Sequence, residues 1–154
     1  MKAILYCLTA LFLTLGCSTA QLSYNKIESI TLSRSGCYGK CPIYTVTFFD
    51  DNSIKYKGKM FVEHIGEFSA ESPQDFSELQ SLLQELDFFS LKESYLDSNI
   101  VDVPIHTLVV RQGKLTKRIV ENGEAPYEVK RIGSYLDRQI SKLEASDWFE
   151  INNK

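Results

Sequence analysis

The sequence lacks the short motifs that mark the common enzyme classes. It contains no Gly-x-Ser-x-Gly nucleophile elbow, no His-Glu-x-x-His zinc motif and no glycine-rich phosphate loop. Histidine is scarce, with 2 residues in a chain of 154, so only His64 and His106 offer an imidazole. We therefore predict no catalytic residue, and a non-enzymatic protein is favoured over an enzyme.

Basic residues are too few and too scattered to favour nucleic acid. The chain holds 17 Lys and Arg residues against 20 Asp and Glu residues, a net charge of −3. Lys55, Lys57 and Lys59 alternate with other residues, as expected on the solvated face of a strand. Because nucleic-acid binding needs a basic patch that neutralises phosphates, no nucleic-acid partner is predicted.

No apolar run is long enough to span a membrane. Ala3 to Gly16 carries no charge and follows Lys2, but the run stops at Cys17, short of the ~20 apolar residues that a membrane helix needs. A basic residue, a short apolar stretch and then small residues are typical of a secretory leader. We assign residues 1–20 to a signal peptide or lipoprotein leader, which predicts a protein located outside the cytoplasm.

Two processing sites compete within this leader. Small residues at positions 18–20 suit a general signal peptidase, which would release a free domain that begins at Gln21. Residues 13–17 instead resemble the lipobox of bacterial lipoproteins, with Thr14 where a typical lipobox has Leu, and Cys17 would then carry the lipid. Cleavage before Gln21 predicts a secreted protein, whereas lipidation of Cys17 predicts a lipoprotein of the periplasm or outer membrane, held by its lipid anchor.

The rest of the chain has no proline- or glycine-rich linker, so we predict one domain over residues 27–145 and a C-terminal tail over 146–154. Alternating apolar residues predict strands, and helical spacing after Ser72–Pro73 and after Pro126 predicts two helices. The predicted strands are Ile27–Ser33, Ile43–Phe49, Ile54–Gly58, Met60–Ile65, Thr107–Arg111 and Leu115–Val120. The order β-β-β-(β)-α-β-β-α predicts an α+β fold, with an antiparallel sheet of about five or six strands and both helices on one face.

The segment between the first two strands concentrates the unusual residues of the chain. It carries Cys37 and Cys41, two glycines and Pro42 within a few positions. The oxidising compartment of an exported protein favours a disulfide between the two cysteines. Closing a ring of five residues contributes only about 2 kcal/mol, so such a bridge shapes a loop more than it stabilises a fold.

Two alternative roles of the cysteines stay open. Arg34 and Lys40 lie nearby and favour a thiolate, as a reversible redox dithiol requires. Cys-x-x-x-Cys-Pro also resembles the copper-binding loop of cytochrome oxidase assembly proteins, in which two thiolates and a distant imidazole bind the metal. A copper site would use Cys37 and Cys41 with His64 or His106, whereas the disulfide interpretation predicts no metal and no cofactor.

A longer resemblance covers most of the chain after the leader. Residues 30–46 carry Arg-x-Gly-Cys-x-Gly-x-Cys-Pro-x-Tyr, and Tyr95, Asp102 and Pro104 match a later Tyr…Asp-x-Pro segment. This pattern resembles an uncharacterised family of exported bacterial domains, a domain of unknown function. The resemblance implies a bacterial origin and an envelope location, and it implies no activity, substrate or cofactor.

Recognition residues usually lie on loops that a rigid scaffold positions. We therefore hypothesise a non-enzymatic binding or structural domain of the bacterial envelope, whose crosslinked loop presents Arg34, Tyr38 and Lys40 to an envelope protein or surface. The alternative is a thiol-dependent copper-binding or redox protein that uses Cys37 and Cys41.

Overall fold

The computed structural model describes residues 26–151. The predicted leader, with Cys17 and the two processing sites, lies outside these residues. No helix within them is both long enough and apolar enough to cross a bilayer.

The described chain forms eight strands and two α-helices. The strands are β1 (Ile27–Arg34), β2 (Ile43–Phe49), β3 (Ser53–Met60), β4 (Gly66–Glu71), β5 (Ser94–Tyr95), β6 (His106–Gln112), β7 (Leu115–Glu121) and β8 (Phe149–Glu150). The helices are α1 (Phe76–Glu85) and α2 (Tyr127–Ile140), and 3-10 turns cover Phe88–Ser90 and Ala145–Asp147.

All eight strands belong to one sheet, in the order β5-β7-β6-β1-β2-β3-β4-β8. The pairings are antiparallel except that β5 runs parallel to β7. Alternate residues of the strands and the apolar stripes of both helices form a single core, in which Ile30, Leu32, Leu83, Ile132 and Leu136 are fully buried. Burial of this apolar area is the main stabilising contribution.

The α+β class and the two helices are confirmed, but the predicted number of strands is wrong. Two strands of two residues each, β5 and β8, had no alternating pattern to reveal them. They are defined by backbone hydrogen bonds to neighbouring strands, such as Val120 N to Glu93 O at 2.9 Å and Ile151 N to Glu67 O at 2.8 Å. Such bonds depend on tertiary placement and leave no periodic signal in the sequence.

The fourth predicted strand, Met60–Ile65, is also misplaced, because Met60 ends β3 and β4 begins only at Gly66. Phe61 and Gly66 have positive φ angles of 55° and 126°, which turn the chain out of the sheet between the two strands. Residues 61–65 therefore form a connecting segment.

The residues that were predicted to be a C-terminal tail contact the rest of the domain up to Ile151. Trp148 is only 9% exposed, and its ring lies 5.2 Å from the ring of Tyr56. Phe149 pairs with Ser69 of β4. Trp148 therefore covers one side of the core, as an aromatic cap.

Candidate functional site

A row of polar side chains crosses four neighbouring strands at one end of the sheet. The register pairs Glu121 with His106, His106 with Arg34, and Arg34 with Tyr44. Directly paired residues of antiparallel strands point to the same face. Two positions further into each strand, the residues on that face belong to the apolar core, namely Ile119, Leu108, Leu32 and Val46. The four polar residues Arg34, Tyr44, His106 and Glu121 are here called the polar row, and they close one edge of the core.

Arg34 is bound to helix α2 through Asp137. Its Nε donates hydrogen bonds to the hydroxyl of Tyr44 at 3.0 Å and to Oδ1 of Asp137 at 3.2 Å, and its Nη2 pairs with Oδ2. The Tyr44 hydroxyl also donates to Oδ1. Burial and the hydrogen bond to Asp137 raise the pKa of Tyr44, so the phenol stays neutral. The network connects α2 to the ends of β1 and β2.

His106 and Glu121 form the second hydrogen-bonded pair of the polar row. His106 Nδ1 lies 2.5 Å from Oε1 of Glu121, and the N–H of Gly123 donates to Oε2 at 2.6 Å. Glu121 is only 7% exposed. Burial alone would raise its pKa, but the hydrogen bonds from His106 and Gly123 and the charge of His106 outweigh burial and lower the pKa.

The lowered pKa of Glu121 predicts a specific pH dependence of stability. A carboxyl with a lower pKa in the folded state stabilises that state above its unfolded pKa, and the stabilisation disappears as the pH falls through the folded pKa. We expect Glu121→Gln to be less stable than the wild type at pH 7, with a difference that shrinks below about pH 4.5. Urea unfolding between pH 7 and pH 3 measures this.

The exposed residue Glu124 supplies the control, since Glu124→Gln removes the same charge nearby. It should change stability by less than about 0.5 kcal/mol at every pH. A difference between wild type and Glu121→Gln that stays constant from pH 7 to pH 3 would contradict the role of the Glu121 charge.

A cleft of about 510 Å³ opens beside the polar row, between the end of α2 and residues 61–65. A second cavity of about 200 Å³ lies beneath α2, and Arg34 and His106 line both. The cleft is lined by Arg34, Cys41, Pro42, Tyr44, Tyr56, Phe61, Val62, Glu63, His64, Pro104, His106, Asp137, Ile140 and Ser141. Its volume is in the range of small-molecule pockets.

One wall of the cleft forms because Gly58 has no side chain, which allows residues 61–65 to pack against β3. A Cβ at this position would lie 1.9 Å from the backbone oxygen of His64 and 2.9 Å from Val62 Cγ2, so residues 61–65 pass directly over β3. Aromatic rings continue this wall, with Tyr44 and Tyr56 stacked at 5.6 Å and His64 at 5.7 Å from Trp148. The wall is therefore built from close backbone contact and ring packing.

The predicted disulfide is present, with the Cα atoms of Cys37 and Cys41 5.6 Å apart. Tyr38 is 94% exposed at the tip of this loop, while Cys41 lines the cleft. Ser35 fixes the base of the loop, because its N–H donates to Ile105 O at 2.9 Å and its hydroxyl accepts from Ile105 N at 2.8 Å. The loop is thus held covalently and through the segment that precedes β6.

The predicted site residues fall into two groups. Tyr38 and Lys40 are exposed on the loop, whereas Arg34 ends β1 and its side chain, 18% exposed, is bound to Asp137. Cys41, His64 and His106 all line the cleft. Among residues 26–151, however, no three His, Cys, Asp or Glu side chains are grouped to hold a metal. Since the disulfide occupies both sulfurs, a copper site would need the reduced cysteines and stays a prediction.

The sequence analysis did not name Tyr44, Asp137 or Glu121 as site residues, although Tyr44 ends the pattern Arg-x-Gly-Cys-x-Gly-x-Cys-Pro-x-Tyr. One signal was available for part of the polar row, because Arg34, His106 and Glu121 each continue the inward-facing alternation of a strand with a charged or imidazole side chain. A polar residue at an inward position needs a partner, so it marks the edge of a core or a site. Asp137 lies on a helix and carries no such signal.

Together these features define an α+β domain that carries a disulfide-closed loop beside a cleft edged by paired charges. Comparison with protein families places residues 28–140 in a domain of unknown function (DUF6438), and the chain belongs to this family. The match begins within β1 and runs to the end of α2. A comparison with curated proteins finds no match.

Proposed function

We propose that this domain is a non-enzymatic binding module of the bacterial envelope, and that it docks a partner protein at one end of its sheet. That end, here called the loop end, consists of residues 35–42, 60–65 and 96–105. The observation that carries the proposal is Tyr38, which is 94% exposed at the tip of a covalently closed loop. Tyrosine is enriched among the residues that dominate binding energy at protein interfaces.

Exposed apolar side chains concentrate at the loop end. The described chain exposes 11 large hydrophobic residues, of which 8 lie there. They are Tyr38, Met60, Phe61, Ile65, Leu96, Val101, Val103 and Ile105. Scattered exposed hydrophobic residues are ordinary, but their concentration in neighbouring segments is typical of an interaction surface.

The loop end is also restrained before binding. The disulfide closes one segment, and the bonds between Ser35 and Ile105 join it to another. Restraint of this kind lowers the entropy cost of association, because fewer side-chain and backbone states are lost on binding.

The path of the chain suits presentation away from an anchor. β1 begins at Ile27 and ends seven residues later, at Arg34 beside the loop, a distance of roughly 23 Å at about 3.3 Å per residue. A lipid at Cys17 would join the domain upstream of β1, at the end of the sheet opposite the loop end. The described chain thus begins at the end of the sheet opposite the proposed docking surface.

A photoreactive residue placed at position 38 tests the proposal in the full chain, expressed in its own host. We expect one discrete adduct after irradiation, and we expect Met60→Asp and Ile105→Asp in the same protein to reduce its yield at least about fivefold. A charge placed in an apolar interface costs more than 1 kcal/mol, which corresponds to such a loss.

Leu115 provides the matched control position, because it is 50% exposed but lies at the opposite end of the sheet. The same photoreactive residue at Leu115 should give no such adduct. Identical adducts from both positions, or none from position 38, would reject the loop end as a docking surface.

A further inference from the structure

The cleft beside the loop end has features of a pocket for a single side chain. We propose that it receives an aromatic side chain with a hydrogen-bonding tip, that of a tyrosine, from the partner protein. This inference rests on the proposed function, because the partner that docks at the loop end supplies the anchor.

The cleft is continuous with the proposed docking surface. Phe61, Pro104 and Cys41 belong to the loop end and also line the cleft. A partner that covers the loop end therefore covers the mouth of the cleft. Interfaces commonly place one large anchor in such a pocket, with a surrounding ring of contacts that excludes water.

The walls of the cleft favour an aromatic body. Pro42, Tyr56, Val62 and Ile140 provide apolar or aromatic surface, and Phe61 adds an exposed ring at the mouth. An aromatic ring buries a large area and gains further from offset or edge-on contact with other rings. The volume of about 510 Å³ accommodates one such side chain with its backbone.

The charges of the cleft favour a neutral occupant. Arg34 is paired with Asp137, and the Glu121 carboxylate is hydrogen-bonded to His106 and to the N–H of Gly123, so the charged groups at the floor already have partners. Outside these pairs the cleft is lined by no Lys or Arg and by one carboxylate, Glu63, which is exposed to solvent. A charged anchor would therefore lose water without gaining a buried opposite charge, which carries a desolvation penalty.

The same paired groups can still bind the polar tip of an anchor. A guanidinium has five N–H donors, and the contacts of Arg34 with the described residues use only Nε and Nη2. The Glu121 contact uses only one of the two ring nitrogens of His106. A phenol hydroxyl, which can accept a hydrogen bond from the guanidinium, thus finds hydrogen-bonding capacity at the floor of the cleft.

Titration of the ¹⁵N-labelled domain with blocked amino acids tests this inference. N-acetyl-tyrosinamide should shift the amide signals of residues 61–65 and 137–141 at millimolar concentration. N-acetyl-phenylalaninamide, which lacks only the hydroxyl, should bind about three- to tenfold more weakly, as expected for one hydrogen bond. N-acetyl-lysinamide and N-acetyl-glutamate amide should produce no saturable shift.

Two variants show where the probe binds, and the proposal does not depend on these variants alone. Phe61→Ala should weaken binding of N-acetyl-tyrosinamide at least about threefold, whereas Lys55→Gln, on the opposite face of the sheet, should leave it unchanged. Equal affinity for the tyrosine and phenylalanine probes, saturable binding of a charged probe, or shifts confined to residues outside the cleft would each overturn the proposal. These comparisons use the wild-type protein, so they hold even if a variant fails to fold.

The two proposals can fail separately. If position 38 gives its adduct but N-acetyl-tyrosinamide does not bind in the cleft, the docking surface stands and the anchor is rejected. If the tyrosine probe binds but position 38 gives no adduct, the docking surface is rejected, and a partner protein as the source of the anchor is rejected with it.

Discussion

Replacing Asp137 with alanine is expected to lower the free energy of unfolding by about 2–3 kcal/mol. The change leaves the guanidinium of Arg34, 18% exposed, without its carboxylate, and it removes the acceptor of the Tyr44 hydroxyl. Loss of one partner of a fully buried ion pair costs about 3–5 kcal/mol. The Asp137 side chain is 36% exposed, so solvent reduces the effect. Urea unfolding at neutral pH measures it.

Glu85→Ala is the matched control, since it breaks the other ion pair of α2, with Arg131, on the exposed surface. Surface pairs contribute at most about 1 kcal/mol, so this variant should change little. In an Arg34→Met background, Asp137→Ala should lower the free energy of unfolding much less than in the wild type. The guanidinium that the substitution would leave unpaired is absent from that background. Equal costs in both backgrounds would show that Asp137 does not act through Arg34.

Replacing Gly58 with alanine is expected to displace residues 61–65 and to cost about 1–3 kcal/mol of unfolding free energy. The new Cβ would lie 1.9 Å from the backbone oxygen of His64, and a backbone atom cannot rotate away as a side chain does. The strain of such overpacking must move the segment or the strand. Amide NMR signals of residues 61–65 should therefore shift, and urea unfolding measures the loss of stability.

Gly39→Ala provides the comparison, because its Cβ would meet only Cys37 Sγ, at an ordinary distance of 3.8 Å. It should change stability by less than about 0.5 kcal/mol. If Gly58→Ala leaves both stability and the signals of residues 61–65 unchanged, close contact with β3 does not hold this wall of the cleft.

The strands and helices were predicted best where the pattern is long and regular. Both bounds of the strand Ile43–Phe49 were predicted correctly, and both helices were identified from their apolar stripes. Alternation and helical spacing are local properties of the sequence. The start of α1 was placed too early, at Ser72–Pro73, since Asp75 caps the helix by accepting from Ser77 N at 2.7 Å. Ser72 and Asp75 both have capping chemistry, and the helix begins after Asp75, at Phe76, which is buried in the core.

The candidate site was predicted in part. The disulfide was predicted from two cysteines in one loop of a chain that is expected to be exported. The structure exposes Tyr38 and Lys40 on that loop, and their role in binding stays a prediction. The cleft was not predicted, because its lining comes from β1, β2, β3, β6, α2 and several connecting segments. The residues that line such a pocket lie far apart along the chain, so no motif of fixed spacing identifies them.

By itself, the sequence determined the α+β class, the two helices, five of the strands and the cysteine pair, because each depends on residues that are close along the chain. Only the tertiary structure decided that Arg34 would meet Tyr44, 10 residues away, and Asp137, 103 residues away. Strand register brings the first pair together, and the packing of α2 across the core brings the second. A charged residue at the end of a strand indicates that a partner is needed, but which residue is the partner depends on how the distant elements pack.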